Sequence, residues 1–205
     1  FLLGSFFFVI QPVRASIAVD ALNKGVPLQE RAELYDRAAN GSPYGQRIRR
    51  SYIAYTTLTW MVKNGRSAVE QDAGYIRQEI RRVQVPLINQ LERADFDPRL
   101  FTLLGAFYQI EGRLFDGVGY EQARQTFEQG MARHPFNPKP AWAMLSLHLE
   151  LGEYEQAAAL AQAIVDLIPG SFEARYNRLV VEKFMVDPQT FEQRVLEVKE
   201  AFPAE

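Results

Sequence analysis

The chain has 205 residues, 47% hydrophobic and 23% charged, a globular composition with enough apolar matter for a sizeable core. A formal net charge of -2 and a pI of about 5.8 leave no basic excess for a nucleic-acid role. The absence of cysteine excludes disulfides, thiolate zinc sites and a cysteine nucleophile.

The chain opens on Phe1 rather than Met, so a processed chain or a piece of a longer one is expected. Residues 1–10 are apolar, and no charge follows until Arg14. Ten residues are too few to cross a bilayer, which takes roughly 20. Three readings are open: the last turns of a transmembrane helix, the core of a signal peptide with Val13-Arg14-Ala15 as a poor cleavage site, or a buried helix. Three consecutive Phe residues with no polar face favour lipid, and the end of a transmembrane helix is the expectation.

Residues 27–43 predict a helix in which Leu28, Arg31, Leu34, Tyr35 and Ala38 precede Ser42-Pro43. Residues 46–63 predict another, rich in aromatics (Tyr52, Tyr55, Trp60) and ended by Asn64-Gly65. Residues 67–93 predict a long helix interrupted at Pro86. Asp97 is the expected N-cap of the helix that follows.

From there the sequence repeats. Pro135, Pro169 and Pro203 stand at equal intervals, and each closes a helical pattern. Tyr120-Glu-Gln-Ala123 recurs as Tyr154-Glu-Gln-Ala157, with Phe127 and Gly130 answered by Ala161 and Ile164. Before Pro203 come Phe191, Val195 and Val198. Phe101-x2-Leu104-Gly105-x2-Tyr108 matches the tetratricopeptide signature with Phe in place of Trp. The interval between the prolines equals that repeat's period, about 34 residues. Gly105 predicts close helix packing, and Gly112 and Gly152 predict C-caps. About six extra residues near Arg113–Gly119 lengthen the first turn, and Pro188 is expected at the first position of its helix. The expected fold is all-α, with eight to ten helices and essentially no sheet, in a tetratricopeptide-like solenoid of antiparallel helix pairs. Its expected parts are 1–10, the end of a transmembrane helix; 11–97, helical and partly repeat-like; and 98–205, three repeats.

The residues that carry chemistry are sparse. His134 and His148 have no clustered carboxylates at ligand spacing; structural roles explain both, and no metal is expected. Gly112–Gly119 holds three glycines but no following Gly-Lys-Ser/Thr, so no phosphate loop is expected. Asp95 and Asp97 fit helix capping, and Asn40-Gly41-Ser42 fits either a turn or a glycosylation acceptor. Arg47, Arg49 and Arg50, and again Arg77, Arg81 and Arg82, read as a solvated face or as a contact for anionic headgroups. The first helix of each pair would line a concave groove. Arg99, Thr102, Gln109, Trp142, Ser146, Glu150, Tyr176 and Lys183 are its candidate lining, with Trp142 and Tyr176 as a stacking platform or as core. The binding residues proper are Arg99, Gln109, Trp142, Ser146, Tyr176 and Lys183; no catalytic residue and no cofactor are expected.

The order of features resembles the C-terminal part of bacterial O-antigen ligase and Wzy-type polymerase-like membrane proteins. The resemblance runs from the apolar end and Gln11-Pro12-Val13-Arg14-Ala15, through Leu28–Ala38, Ser42-Pro43-Tyr44-Gly45 and Gln46–Tyr52, to the closing repeats. Such proteins transfer or polymerise lipid-linked glycans outside the cytoplasmic membrane. The resemblance implies an extracytoplasmic, non-catalytic appendage on the cell membrane that docks a protein or peptide partner or positions a glycan acceptor. No family catalytic residue maps onto this chain. A free-standing tetratricopeptide adaptor for an extended peptide is the alternative. A helical enzyme would need convergent carboxylates or tyrosine–histidine pairs, which the two histidines do not supply.

Overall fold

The computed structural model describes residues 46–92 and 97–202 and, before them, the helical residues 18, 20, 30, 33–35, 37 and 38. The expected membrane segment 1–10, Asp95, the turns around Ser42-Pro43 and Asn40-Gly41-Ser42, and Pro203 lie outside the described residues. Within them every element is a helix and there is no strand. In chain order these are α1 (Gln46–Glu92), α2 (Pro98–Leu114), α3 (Tyr120–Arg133), α4 (Pro138–Leu151), α5 (Tyr154–Leu167), α6 (Phe172–Glu182) and α7 (Pro188–Ala201). None of the described helices is long and apolar enough to cross a membrane.

The chain divides into two compact units. The first comprises residues 1–95 and 106–119, the second 96–105 and 120–205, so α2 gives its first turns to the second unit and its last turns to the first. In the first unit α1 replaces the two helices expected. Gly65 does not end the first of them. It is buried, and a Cβ there would meet Leu114 Cδ1 at 3.0 Å, so its small size serves a close contact inside a continuing helix. The break falls instead at Asp72 (φ −157°, ψ 89°), whose Oδ1 accepts from the Tyr75 N–H at 2.8 Å and caps the segment that follows. Pro86 does not interrupt that segment; helical φ/ψ continue to Glu92. The interior holds Ile53, Met61, Ile76, Ile80, Val83, Leu87, Phe107 and Phe115. Buried Gln84 donates to Glu111 at 3.1 Å, and Arg77 lies 4.4 Å over the Phe115 ring.

The end of α2 also departs from expectation. Gly112 is buried within the helix, which runs on to Leu114. The reversal belongs to Asp116 (φ 53°), Gly117 (φ 88°) and Gly119 (φ 112°). At Gly119 a side chain would strike the Tyr108 carbonyl oxygen at 2.4 Å, so only glycine fits.

In the second unit each of α3 to α7 packs on its sequence neighbour. Four helices start on the same device, α7 among them with Asp187 Oδ1 accepting from Gln189 N–H and Thr190 N–H. Asp97 Oδ1 accepts from Arg99 N–H (3.0 Å), Asn137 Oδ1 from Lys139 N–H (3.0 Å), and Ser171 Oγ from Ala174 N–H (3.2 Å). Pro98, Pro138 and Pro188 open α2, α4 and α7, where a missing N–H costs nothing. Between α4 and α5 Gly152 is left-handed (φ 73°). Its N–H bonds Leu149 O and the Glu153 N–H bonds His148 O, so the chain turns back in two residues. Ala141, Leu145, Ala157, Ala161, Ile164, Ala174 and Val181 form the core there. Earlier in the unit Gly105 receives Phe127: a Cβ on Gly105 would lie 2.2 Å from Phe127 Cε1.

Candidate binding surface

The expected groove residues divide between the helices. Trp142, Ser146 and Glu150 step one helical turn at a time along α4, which keeps them on one side of that helix. Tyr176, Val180 and Phe184 follow one repeat period later, the first two on α6 and Phe184 just past its end. Ser146 and Lys183 are exposed, and Tyr176 and Phe184 keep 53% and 55% of their surface in solvent. Tyr176 stacks on Phe172 with ring centroids 5.9 Å apart. Trp142 is half-buried, packed on the core cluster, and its Nε1 is enclosed with no hydrogen-bond partner among the described residues. Tyr176 is thus a surface ring, whereas Trp142 belongs largely to the core.

Arg99 and Gln109 do not join them. The exposed Arg99 guanidinium is held by its neighbour Asp97, at 2.9 and 3.0 Å from Nε and 2.6 Å from Nη2. Gln109 is only 7% exposed and lies in the first unit. That stretch of α2 has Phe107 and Ile110 buried around it, so the position a groove pattern assigns to solvent is interior here.

Two tyrosines brace this surface from the starts of α3 and α5. Tyr120 donates its hydroxyl proton to Glu150 Oε1 at 2.8 Å. Tyr154 stacks on Phe184, with centroids 5.1 Å apart and planes within 5°. The two contacts join positions equally far apart in sequence, and one is the other moved along by one period. Beside the first lies an ionic clasp: Glu153 accepts from Arg124 Nη2 at 2.8 and 3.0 Å and meets His148 Nδ1 at 2.6 Å. The hydrogen bond with His148 and then that with Arg124 hold the Glu153 carboxyl below the usual range. His148, 8% exposed, is a packed residue at the end of α4. Nothing in the sequence marked Phe184 or this clasp, although the repeated Tyr-Glu-Gln-Ala was a signal for the two braces.

Elsewhere in the unit a cavity of about 220 Å³ opens among Met131, His134, Ala141, Leu160, Ile164 and Leu167. It is smaller than the roughly 300–1,000 Å³ usual for small-molecule sites. The His134 ring lies edge-on to Phe101 at 5.8 Å. Among the described residues no three His, Asp or Glu side chains converge as metal ligands would. The Tyr176–Phe184 surface offers stacking, one ammonium group and hydroxyl donors. No family model, no curated protein and no solved structure matches the chain.

Proposed function

We propose that residues 98–202 form a tetratricopeptide-like array of three helix pairs that works as a docking module, its partner held along the Ser146, Tyr176, Lys183 and Phe184 face. The observation that carries this is the pair of translated braces. Tyr120 on Glu150 and Tyr154 on Phe184 are the same contact, one period apart, in different chemistry. A contact that recurs at the sequence period is what stacked repeats produce, because each repeat meets the next in one geometry. The caps Asp97, Asn137 and Ser171 recur at the matching places. Partly exposed aromatic rings beside hydrophilic side chains suit recognition of a peptide or an acceptor glycan.

In this proposal the module is the non-catalytic, extracytoplasmic appendage of an O-antigen ligase or polymerase-like membrane protein. The support is the feature order from the apolar start through Gln11–Ala15 and Gln46–Tyr52 to the repeats. Two experiments separate the layers. A peptide and glycan array is probed with the chain and with Tyr176→Ala and Lys183→Glu, both away from the core. Ligands lost by both variants support the face, whereas ligands retained by both refute it. Reading the coding sequence upstream of Phe1 tests the parentage: several apolar spans of membrane length are expected, and their absence defeats it.

A further inference from the structure

We infer that the outward stripe on the first half of α1 docks on an anionic lipid bilayer. From Gln46 to Val69 the helix carries five cations, Arg47, Arg49, Arg50, Lys63 and Arg66, and no acid; the first is Glu70. Its inner side is closed by Ile53, Ala54, Thr57, Met61 and Ala68. Opposite them lie Tyr52 (47% exposed), Tyr55 (61%), Thr59, Val62 (57%) and Arg66, at steps of three and four that make one continuous line, flanked by exposed Lys63.

A helix packed on a domain ordinarily turns a polar, charge-balanced face to water. This face is instead aromatic and aliphatic with cations of one sign. Tyrosine favours the boundary between hydrocarbon and water, since its ring is apolar and its hydroxyl is not. Two polar side chains on and beside the line bond the helix's own backbone. Thr59 Oγ1 donates to Tyr55 O at 2.9 Å and Asn64 Nδ2 to Trp60 O at 3.1 Å. They keep these bonds when water is withdrawn, so the stripe enters the headgroup layer without leaving them unsatisfied. Lys63 and Arg66 then meet lipid phosphates, and their long stems add apolar contact. A soluble polyanion would engage the cations but has no use for Tyr52, Tyr55 and Val62. No described helix has the length and apolarity to span, so the helix lies on the surface.

This inference goes beyond the proposed docking face, whose residues all belong to the second unit, and the two can fail separately. The whole chain has no cysteine, so Val62→Cys takes a single environment-sensitive fluorophore, with Ser146→Cys as the control on α4. Vesicles of phosphatidylcholine with and without phosphatidylglycerol are added at low and high salt. The label at 62 is expected to shift to the blue only with the anionic vesicles and to lose the shift in high salt. The label at 146 stays unchanged. Lys63→Glu with Arg66→Glu lowers vesicle affinity by at least about 25-fold, at about five-fold for each cation lost. Tyr52→Ser with Tyr55→Ser weakens binding but leaves its salt dependence. Circular dichroism of each variant confirms the helix content. Tyr176→Ala leaves every one of these signals in place. A chain that binds vesicles while position 62 stays silent overturns the inference. So do equal shifts with neutral vesicles, or with heparin or an acidic protein.

Discussion

Glu153 and Asp187 stand one repeat period apart, each just before a helix, and their carboxylates are used differently. Asp187 caps α7, accepting from Gln189 N–H at 3.0 Å and Thr190 N–H at 3.1 Å, and hydrogen bonds from Thr190 hold its carboxyl low. Glu153 makes no cap bond with its side chain; the carboxylate goes to His148 and Arg124 instead. Its proton is held less tightly in the folded chain than in the unfolded one, for which the ordinary value is 4.5. The unfolded state therefore binds more protons as the pH falls through that region, and stability falls with it. Glu153→Gln is expected to lower the melting temperature at neutral pH. That difference should persist down to about pH 4.5 and shrink below it. A difference independent of pH would mean that the carboxylate charge is not what stabilises the turn.

At the scale of elements, matched positions exchange volume. Gly105 on α2 faces Phe127 on α3. Leu145 takes the place of Gly105 in the next pair, once the longer first turn is allowed for, and Ala161 stands one period after Phe127. These two sit together in the core cluster of α4 and α5. A large residue has moved from one helix to the other while the space between the helices stays filled. Gly105→Ala is expected to cost about 1–3 kcal/mol by overpacking, and Phe127→Ala about 3–5 kcal/mol through the cavity it leaves. Gly105→Leu combined with Phe127→Ala copies the later pair and is expected to recover most of the loss in urea unfolding. Additive damage in the double variant would show that the two helix pairs are not packed alike. Capping is the other element-scale force. Asp72→Ala removes the side chain that starts the second half of α1 and is expected to cost about 1 kcal/mol, with Asp72→Asn close to wild type.

For the whole molecule, contacts in the second unit run from each helix to its neighbour in sequence, so stability is local and adds along the chain. The core cluster centres on α5 and reaches α4 and α6, while α7 has no buried residue among those described and packs chiefly on α6. Amide hydrogen exchange is expected to be slowest in α4 and α5 and fastest in α7, which opens without disturbing the rest. Equal protection across α4 to α7 would mean cooperativity beyond nearest neighbours. The first unit draws its interior from α1, the end of α2 and the residues before them, and Arg49 Nε reaches back to Ala38 O at 2.9 Å. Burial, then Arg50, lowers the Arg49 guanidinium from its usual range.

Where the sequence acted through local rules it was a sufficient guide. Helical class, the cap Asp97, Gly152 as a left-handed stop and Pro188 as a start all follow from backbone preferences within a few residues. The same local logic misplaced the breaks. Asn64-Gly65 and Gly112 look like stops, but in a folded chain Gly65 makes room for Leu114 and the helix continues past both. Tertiary packing also decided which candidate binding residues are surface. Gln109 is covered because the second half of α2 joins another core, and Trp142 packs on the cluster that holds Ala141 and Leu145, whereas Tyr176 stays outside. Periodicity specifies which residues share a helix face; which face meets solvent depends on what packs against it, and that is settled only when distant segments meet.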